Sequence, residues 1–209
     1  FGCLEKSVVI GSLPRVDRLM SEEIKQRTID KIFGKYQELK QAKDCDKKII
    51  VYAPTFRKHK DISAEIEDLI NKISSEDRII VIKKHPLMKL CIEDRPGVIV
   101  DDTFSTEEML YIADCVIADY SAIVFEAALL NKPMCFYAFD LGDYMASRSF
   151  YLDYEKDMPG AICKDVDEVE TVLKDFHFNL EAIRNFAHNY VENIEGVTKE
   201  LANLVLMDN

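Results

Sequence analysis

Cys115-Val116-Ile117-Ala118-Asp119-Tyr120-Ser121-Ala122-Ile123-Val124-Phe125-Glu126 starts with four apolar residues, crosses a short polar step and resumes as a helical pattern. The run Cys115 to Ala118 reads as a strand covered on both faces, because it is continuous in apolar residues with no outward polar alternation. The polar step places Ser121 where its oxygen can cap the orphan N–H groups of the following helix. A buried strand that runs directly into a helix is the unit from which doubly wound α/β sheets are built.

Outward from this stretch the same kind of strand recurs at Val8-Val9-Ile10, Ile49-Ile50-Val51-Tyr52, Ile79-Ile80-Val81-Ile82, Val98-Ile99-Val100 and Met134-Cys135-Phe136-Tyr137. Helical stretches lie between them, about Ser21 to Lys43, Ser63 to Ile73, Thr106 to Ala113, Ser121 to Leu130 and Leu141 to Arg148. After Gly160 the pattern predicts helices only, near Val166 to Phe176, Leu180 to Glu192 and Thr198 to Met207. The expected fold is α/β, a doubly wound and mostly parallel Rossmann-like sheet closed by C-terminal helices. Residues 1–209 read as one domain, with no repeat, low-complexity segment or long linker. Phe1-Gly2-Cys3 enters the first strand without a preceding cap, as expected of a fragment of a longer protein.

With 48% apolar residues the chain can bury a substantial core, and its formal net charge is -11. That charge argues against a nucleic-acid partner, since no surplus of Lys and Arg is available to neutralise a line of phosphates. An anionic ligand must therefore meet a local basic pocket. Six cysteines stand far apart with no CxxC pair, and Cys115 and Cys135 fall within apolar runs, so reduced core thiols are expected. No signal peptide opens the sequence, and no apolar run reaches the ~20 residues needed to span a bilayer, so the expected compartment is cytoplasmic.

Ligands of open α/β sheets bind beyond the carboxyl ends of the strands, so the loops there carry the candidate chemistry. In Gly11-Ser12-Leu13-Pro14-Arg15-Val16-Asp17, Arg15 can reach an anion or simply be solvated. In Ala53-Pro54-Thr55-Phe56-Arg57-Lys58-His59, Thr55 offers a hydroxyl and Arg57 a forked donor suited to phosphate, against the alternative of a solvated basic loop. Lys83-Lys84-His85-Pro86 joins cations to an imidazole that Pro86 holds in an extended or turn conformation. His85 there can donate to a diphosphate or protonate a leaving phosphate. In the opening stretch, Asp119, Tyr120 and Ser121 shape the entrance of a helix whose amides can face phosphates. Glu126 can accept hydrogen bonds from two ribose hydroxyls. Arg148 is a second candidate anion contact in the loop between Asp140 and Gly160. Gly-x-Gly-x-x-Gly, P-loop and HxxxH patterns are absent, so neither dinucleotide and kinase chemistry nor a metal is indicated.

Taken in order, these loops resemble the CDP-glycerol glycerophosphotransferase family of teichoic-acid polymerases and primases. The family's G-x-P-R-x-D, A-P-T-[WF]-R, K-x-H-P, D-Y-S-[SA] and R-G-F-Y then P-G patterns correspond to segments from Val8 to Gly160, with Ser149 in place of the glycine of R-G-F-Y. The resemblance implies the C-terminal half of a GT-B architecture, holding CDP-glycerol as donor substrate with no certain cofactor. Its implied partners are a membrane-linked polymer acceptor and an N-terminal domain of the same protein that supplies a second histidine as base. The isolated chain is then expected to be inactive, and the intact protein to work at the inner face of the plasma membrane. CDP-ribitol, a nucleotide sugar, or a non-catalytic nucleotide-binding role are the alternatives that the sequence leaves open.

Overall fold

The computed structural model describes residues 11, 13–58, 60–85, 87–88, 90, 92, 95–148, 150–191 and 195–207. The strand expected at Val8-Val9-Ile10 lies outside them. In chain order the elements are α1 (Arg15–Met20), α2 (Glu22–Lys35), α3 (Gln37–Asp44), β1 (Lys48–Tyr52), α4 (Ser63–Ile73), β2 (Arg78–Lys83), β3 (Val98–Asp101), α5 (Thr106–Leu110) and β4 (Cys115–Ala118). They continue with α6 (Ile123–Leu129), β5 (Met134–Tyr137), α7 (Leu141–Ser147), α8 (Tyr154–Asp157), β6 (Ala161–Cys163), α9 (Val166–Asp175), α10 (Leu180–Tyr190) and α11 (Val197–Met207).

The six strands form one parallel sheet in the order β3-β2-β1-β4-β5-β6. Alternate residues of each strand feed opposite cores. Ile49, Val51, Val81, Val116 and Phe136 pack with Ile32, Leu39, Met109, Ala127 and Phe186 on one face. Ile50, Tyr52, Ile80, Ile117 and Cys135 pack with Ile66, Leu69, Ile70, Val169 and Leu173 on the other. Both faces are thus covered by helices, which is why the strands carry no polar alternation. Cys115, Cys135 and Cys163 are buried free thiols, as expected of this core, while Cys45 is exposed. Among the described residues, no helix is long and apolar enough to cross a membrane.

The structure differs from the sequence reading at several places, among them a short helix, α8, in the loop expected before Gly160. The single helix expected from Ser21 to Lys43 is two helices, because Tyr36 leaves the helical region (φ -113°, ψ 81°). Its hydroxyl donates to Asp101 at 2.7 Å and its ring meets Phe104 edge-on. Arg15, expected in a loop, opens helix α1 behind Pro14, whose fixed φ suits a helix start. The segment after Gly160 is not purely helical: Ala161–Cys163 is a short edge strand paired with β5.

Gly160 explains how that edge strand can dock. A Cβ added there would lie 2.2 Å from the carbonyl oxygen of Met134, a backbone atom that cannot swing aside. Gly160→Ala is expected to destabilise the chain by about 3 kcal/mol, toward the upper end for overpacking. A urea midpoint equal to wild type would refute the close approach.

Candidate functional site

The chain leaves β1 toward β2 and β3 on one side and returns through β4 to β5 and β6 on the other. The loops after β1 and β4 therefore diverge at a topological switch point and open a crevice beyond the strand ends. The two loops are joined at its floor. Thr55 donates its N–H to both carboxylate oxygens of Asp119 at 3.0 and 2.9 Å, and its hydroxyl to the same group at 2.5 Å.

Arg57 extends this floor to β5. Its Nε and Nη2 donate to the two oxygens of Asp140, each at 3.0 Å. Nη2 also lies 3.0 Å from Asp119, and Nη1 donates to the Thr55 carbonyl at 2.7 Å. The guanidinium lies near the rings of Tyr120 and Tyr144, 4.7 and 5.1 Å from their centroids. Tyr120 in turn donates its hydroxyl to Asp140 at 2.9 Å and stacks on Tyr144. Burial alone would raise the pKa of Asp140, but the hydrogen bonds from Arg57 and Tyr120 outweigh it and hold the carboxyl below its usual range. Asp119 is buried more completely, and burial outweighs Arg57 and Thr55 to leave its pKa raised.

Above this floor lies a cleft of about 680 Å³. Its walls come from the loops after four strands: Ala53 to Phe56 after β1, Lys83 to His85 at the end of β2, Phe104 to Thr106 after β3, and Tyr120 to Ala122 after β4. Arg148, at the end of α7, completes the rim with Tyr144. Lys83 is turned inward, donating to the buried Asp101 and to the Phe104 carbonyl. Lys84 keeps its side chain for the cleft, while its N–H donates to the Asp101 carbonyl at 3.1 Å. The His85 ring stacks on Phe56 with centroids 5.3 Å apart and planes 12° from parallel. Its Nδ1 accepts from the Leu87 N–H at 3.2 Å, so a neutral ring carries its proton on Nε2. Among the described residues, neither Lys84 nor Arg148 has a carboxylate partner.

Thr55, Lys84, His85, Tyr120, Ser121 and Arg148 thus line one cleft. Pro86 lies outside the described residues. Arg57, expected to hold phosphate, and Asp119, expected at the entrance of the nucleotide-facing helix, are 8% and 2% exposed, and Arg57 spends its charge on Asp119 and Asp140. They are the frame of the site rather than groups turned toward a ligand. The amides around Ser121 are also partly spent: Tyr120 N–H donates to Asp119 at 2.6 Å and Ile123 N–H to the Ser121 hydroxyl at 3.3 Å. Ser121 precedes Ala122, the N-cap residue of α6, and serves its first turn through this Ile123 bond.

Arg15 and Glu126 line an adjoining hollow of about 260 Å³ that shares Ser105 with the cleft. Their side chains pair at 2.5 Å, and Arg15 also approaches Glu107 at 3.9 Å. An anion at Arg15 would have to compete with both carboxylates. Burial raises the Glu126 pKa, offset in part by its own backbone amide and by Arg15. Asp140 and Tyr144 are the residues of the frame that the sequence reading left unassigned, although Asp140 follows a strand end as the other loops do. A further concavity of about 570 Å³ lies around Gln41, Ser75 and Gly97, at the opposite end of the sheet from these loops. Among the described residues, no group of three or more His, Cys, Asp or Glu side chains is placed to hold a metal ion.

Comparisons of sequence with known proteins agree on one family. The sequence is 32% identical over 211 residues to the teichoic acid poly(ribitol-phosphate) polymerase of Bacillus spizizenii, covering 96% of this chain and 33% of that protein. It is 32% identical over 161 residues to the teichoic acid glycerol-phosphate primase of Bacillus subtilis, covering 72% of this chain and 41% of that protein. The chain thus spans about a third to two fifths of the length of these two relatives. Its fold is that of the wall teichoic acid polymerase TagF, solved as a variant soaked with CDPG, at a TM-score of 0.74 and 24% identity over 99% of this chain and 53% of that one. With the family described as CDP-Glycerol:Poly(glycerophosphate) glycerophosphotransferase matching residues 1–206, the chain belongs to that family of teichoic acid primases and polymerases.

Proposed function

We propose that this chain is the donor-binding half of a polyol-phosphate transferase. It holds CDP-glycerol, and the intact protein passes glycerol phosphate to a hydroxyl of a teichoic-acid-like polymer and releases CMP. The observation that carries this reading is the meeting of Lys84, His85 and Arg148 around one cleft at the switch point, in a chain whose net charge is -11. Cations left open in so acidic a molecule form the local basic pocket that a diphosphate requires. The acceptor oxygen attacks the polyol-bearing phosphorus, and the bond from that phosphorus to the CMP oxygen breaks. Lys84 and Arg148 stabilise the charge gathering on CMP, and His85 donates to the departing phosphate through Nε2. Glu126 takes the ribose hydroxyls. The base that accepts the acceptor proton belongs to the rest of the protein, which works at the inner face of the plasma membrane where its acceptor is anchored.

CDP-ribitol is the second reading, favoured because the ribitol-phosphate polymerase matches 96% of this chain and the glycerol-phosphate primase 72%. Titration of the chain with CDP-glycerol, CDP-ribitol and UDP-sugars separates the readings. Both CDP-polyols are expected to bind at least about tenfold more tightly than any UDP-sugar, a difference of about 1.4 kcal/mol. Turnover by the intact protein then selects between the polyols. Equal affinity for UDP-sugars would overturn the assignment.

A further inference from the structure

The Arg57 frame joins the loops after β1, β4 and β5, but the loop that carries Lys84 and His85 follows β2. A different residue holds that loop. Asp101 ends β3, is fully buried, and pairs with Lys83 at the last step of the β2–β3 ladder. Its carboxylate accepts from Lys83 Nζ, from the Tyr36 hydroxyl at 2.7 Å, and from the N–H groups of Thr103 and Phe104 at 3.1 and 3.3 Å. Its carbonyl accepts the Lys84 N–H at 3.1 Å and Lys83 Nζ at 3.3 Å. Burial alone would raise the Asp101 pKa, but Lys83 and Tyr36 outweigh it and hold the carboxyl below its usual range.

One residue thus fixes the exits of two strands whose loops, Lys83 to His85 and Phe104 to Thr106, form one wall of the cleft. The Lys84 N–H lies one residue before His85, so the Asp101 carbonyl sets the backbone from which both the Lys84 side chain and the imidazole leave. The contacts with Phe56 and the Leu87 N–H act on the ring, whereas Asp101 acts on the strand exit that carries it. We propose that Asp101 is a positioning residue for the transfer reaction, with Tyr36 as its support, and that together they place His85 and Lys84 at the cleft. Misplacing a reacting group by about 1 Å can cost about a hundredfold in rate. The inference rests on the role proposed for His85.

The test measures kcat of the intact enzyme, per folded molecule, for Asp101→Asn and Tyr36→Phe, each made in wild type and in His85→Ala. Asn keeps the shape of Asp101 but turns an NH2 toward groups that need an acceptor. Phe keeps the Tyr36 ring against Phe104 and removes one hydrogen bond. In the wild-type background Asp101→Asn is expected to lower kcat about tenfold to a hundredfold, and Tyr36→Phe about threefold, the worth of one hydrogen bond. In the His85→Ala background each loss should shrink by at least about threefold, because the ring being placed is gone and residues that act through one another are not additive. Losses of equal size in both backgrounds would mark a general loosening of the fold and overturn the proposal, as would wild-type kcat in either variant. Should Asp101→Asn not fold, Tyr36→Phe decides by the same comparison. A His85→Ala enzyme with wild-type kcat would instead overturn the role of His85 on which the proposal rests.

Discussion

Arg57→Ala is expected to destabilise the chain by about 3–5 kcal/mol, the cost of breaking a buried ion pair from one side. The variant leaves Asp119 buried without its cation and Asp140 with only Lys60, 4.0 Å away. It also removes the donors that tie the loop after β1 to those after β4 and β5. Arg57→Lys should recover little, since one ammonium cannot reproduce a fork that serves two carboxylates and a carbonyl at once. The pH dependence gives a second signature. In wild type the Asp140 carboxyl sits below its ordinary value, so its contribution is present above the unfolded value of about 4 and lost as pH falls through the folded one. In Arg57→Ala the sign reverses for Asp140, and Asp119, already raised by burial, rises further, so both carboxylates take up protons more readily than in the unfolded chain. The deficit relative to wild type should therefore shrink as pH falls from 7 toward 4. Urea unfolding of both proteins across that range checks both statements, and a variant with the wild-type midpoint at pH 7 would dismiss the frame assigned to Arg57.

That frame also shows where sequence reading stops. The strands were legible because burial on both faces leaves an unbroken apolar run, and Cys115–Ala118 and Met134–Tyr137 match their predicted bounds. Ala161–Cys163 was not, because three residues at a sheet edge carry too little pattern to separate from a loop. The break at Tyr36 depends on Asp101, a partner 65 residues away that local helix periodicity does not register.

The candidate site divides along the same line. Loops at strand ends supply ligand-facing groups and buried frames from the same residue types, so placement after a strand located Arg57 and Lys84 alike. Which of them is spent depends on Asp140, 83 residues beyond Arg57. An arginine in such a loop reads as a phosphate ligand until its carboxylates are found. The frame has its own use in this acidic chain. Pairing Arg57 with two aspartates ties the switch-point loops together, while Lys84 and Arg148 are left to the cleft, so the paired and the open cations of the site are different residues.

In the intact enzyme, His85→Ala is expected to lower kcat by about 10²–10⁴-fold, the usual range for loss of a general acid. On the proposed reading CDP affinity should change far less, because Lys84 and Arg148 are left in the cleft to meet the diphosphate. The fold should hold, since His85 is exposed and surface substitutions of this kind stay within about 0.5 kcal/mol. Its orientation rests on two local contacts, the Phe56 stack and the Leu87 N–H held by Nδ1, which leave Nε2 as the free donor. Phe56→Leu should therefore lower kcat more mildly, by loosening the ring without removing it. His85→Gln separates two roles, because an amide can donate a hydrogen bond but has no proton to transfer at neutral pH. If His85 protonates the departing CMP oxygen, Gln stays near Ala; if it only stabilises charge there, Gln recovers most of the rate. A His85→Ala enzyme with wild-type kcat would remove His85 from the chemistry and leave the cleft as a binding site alone.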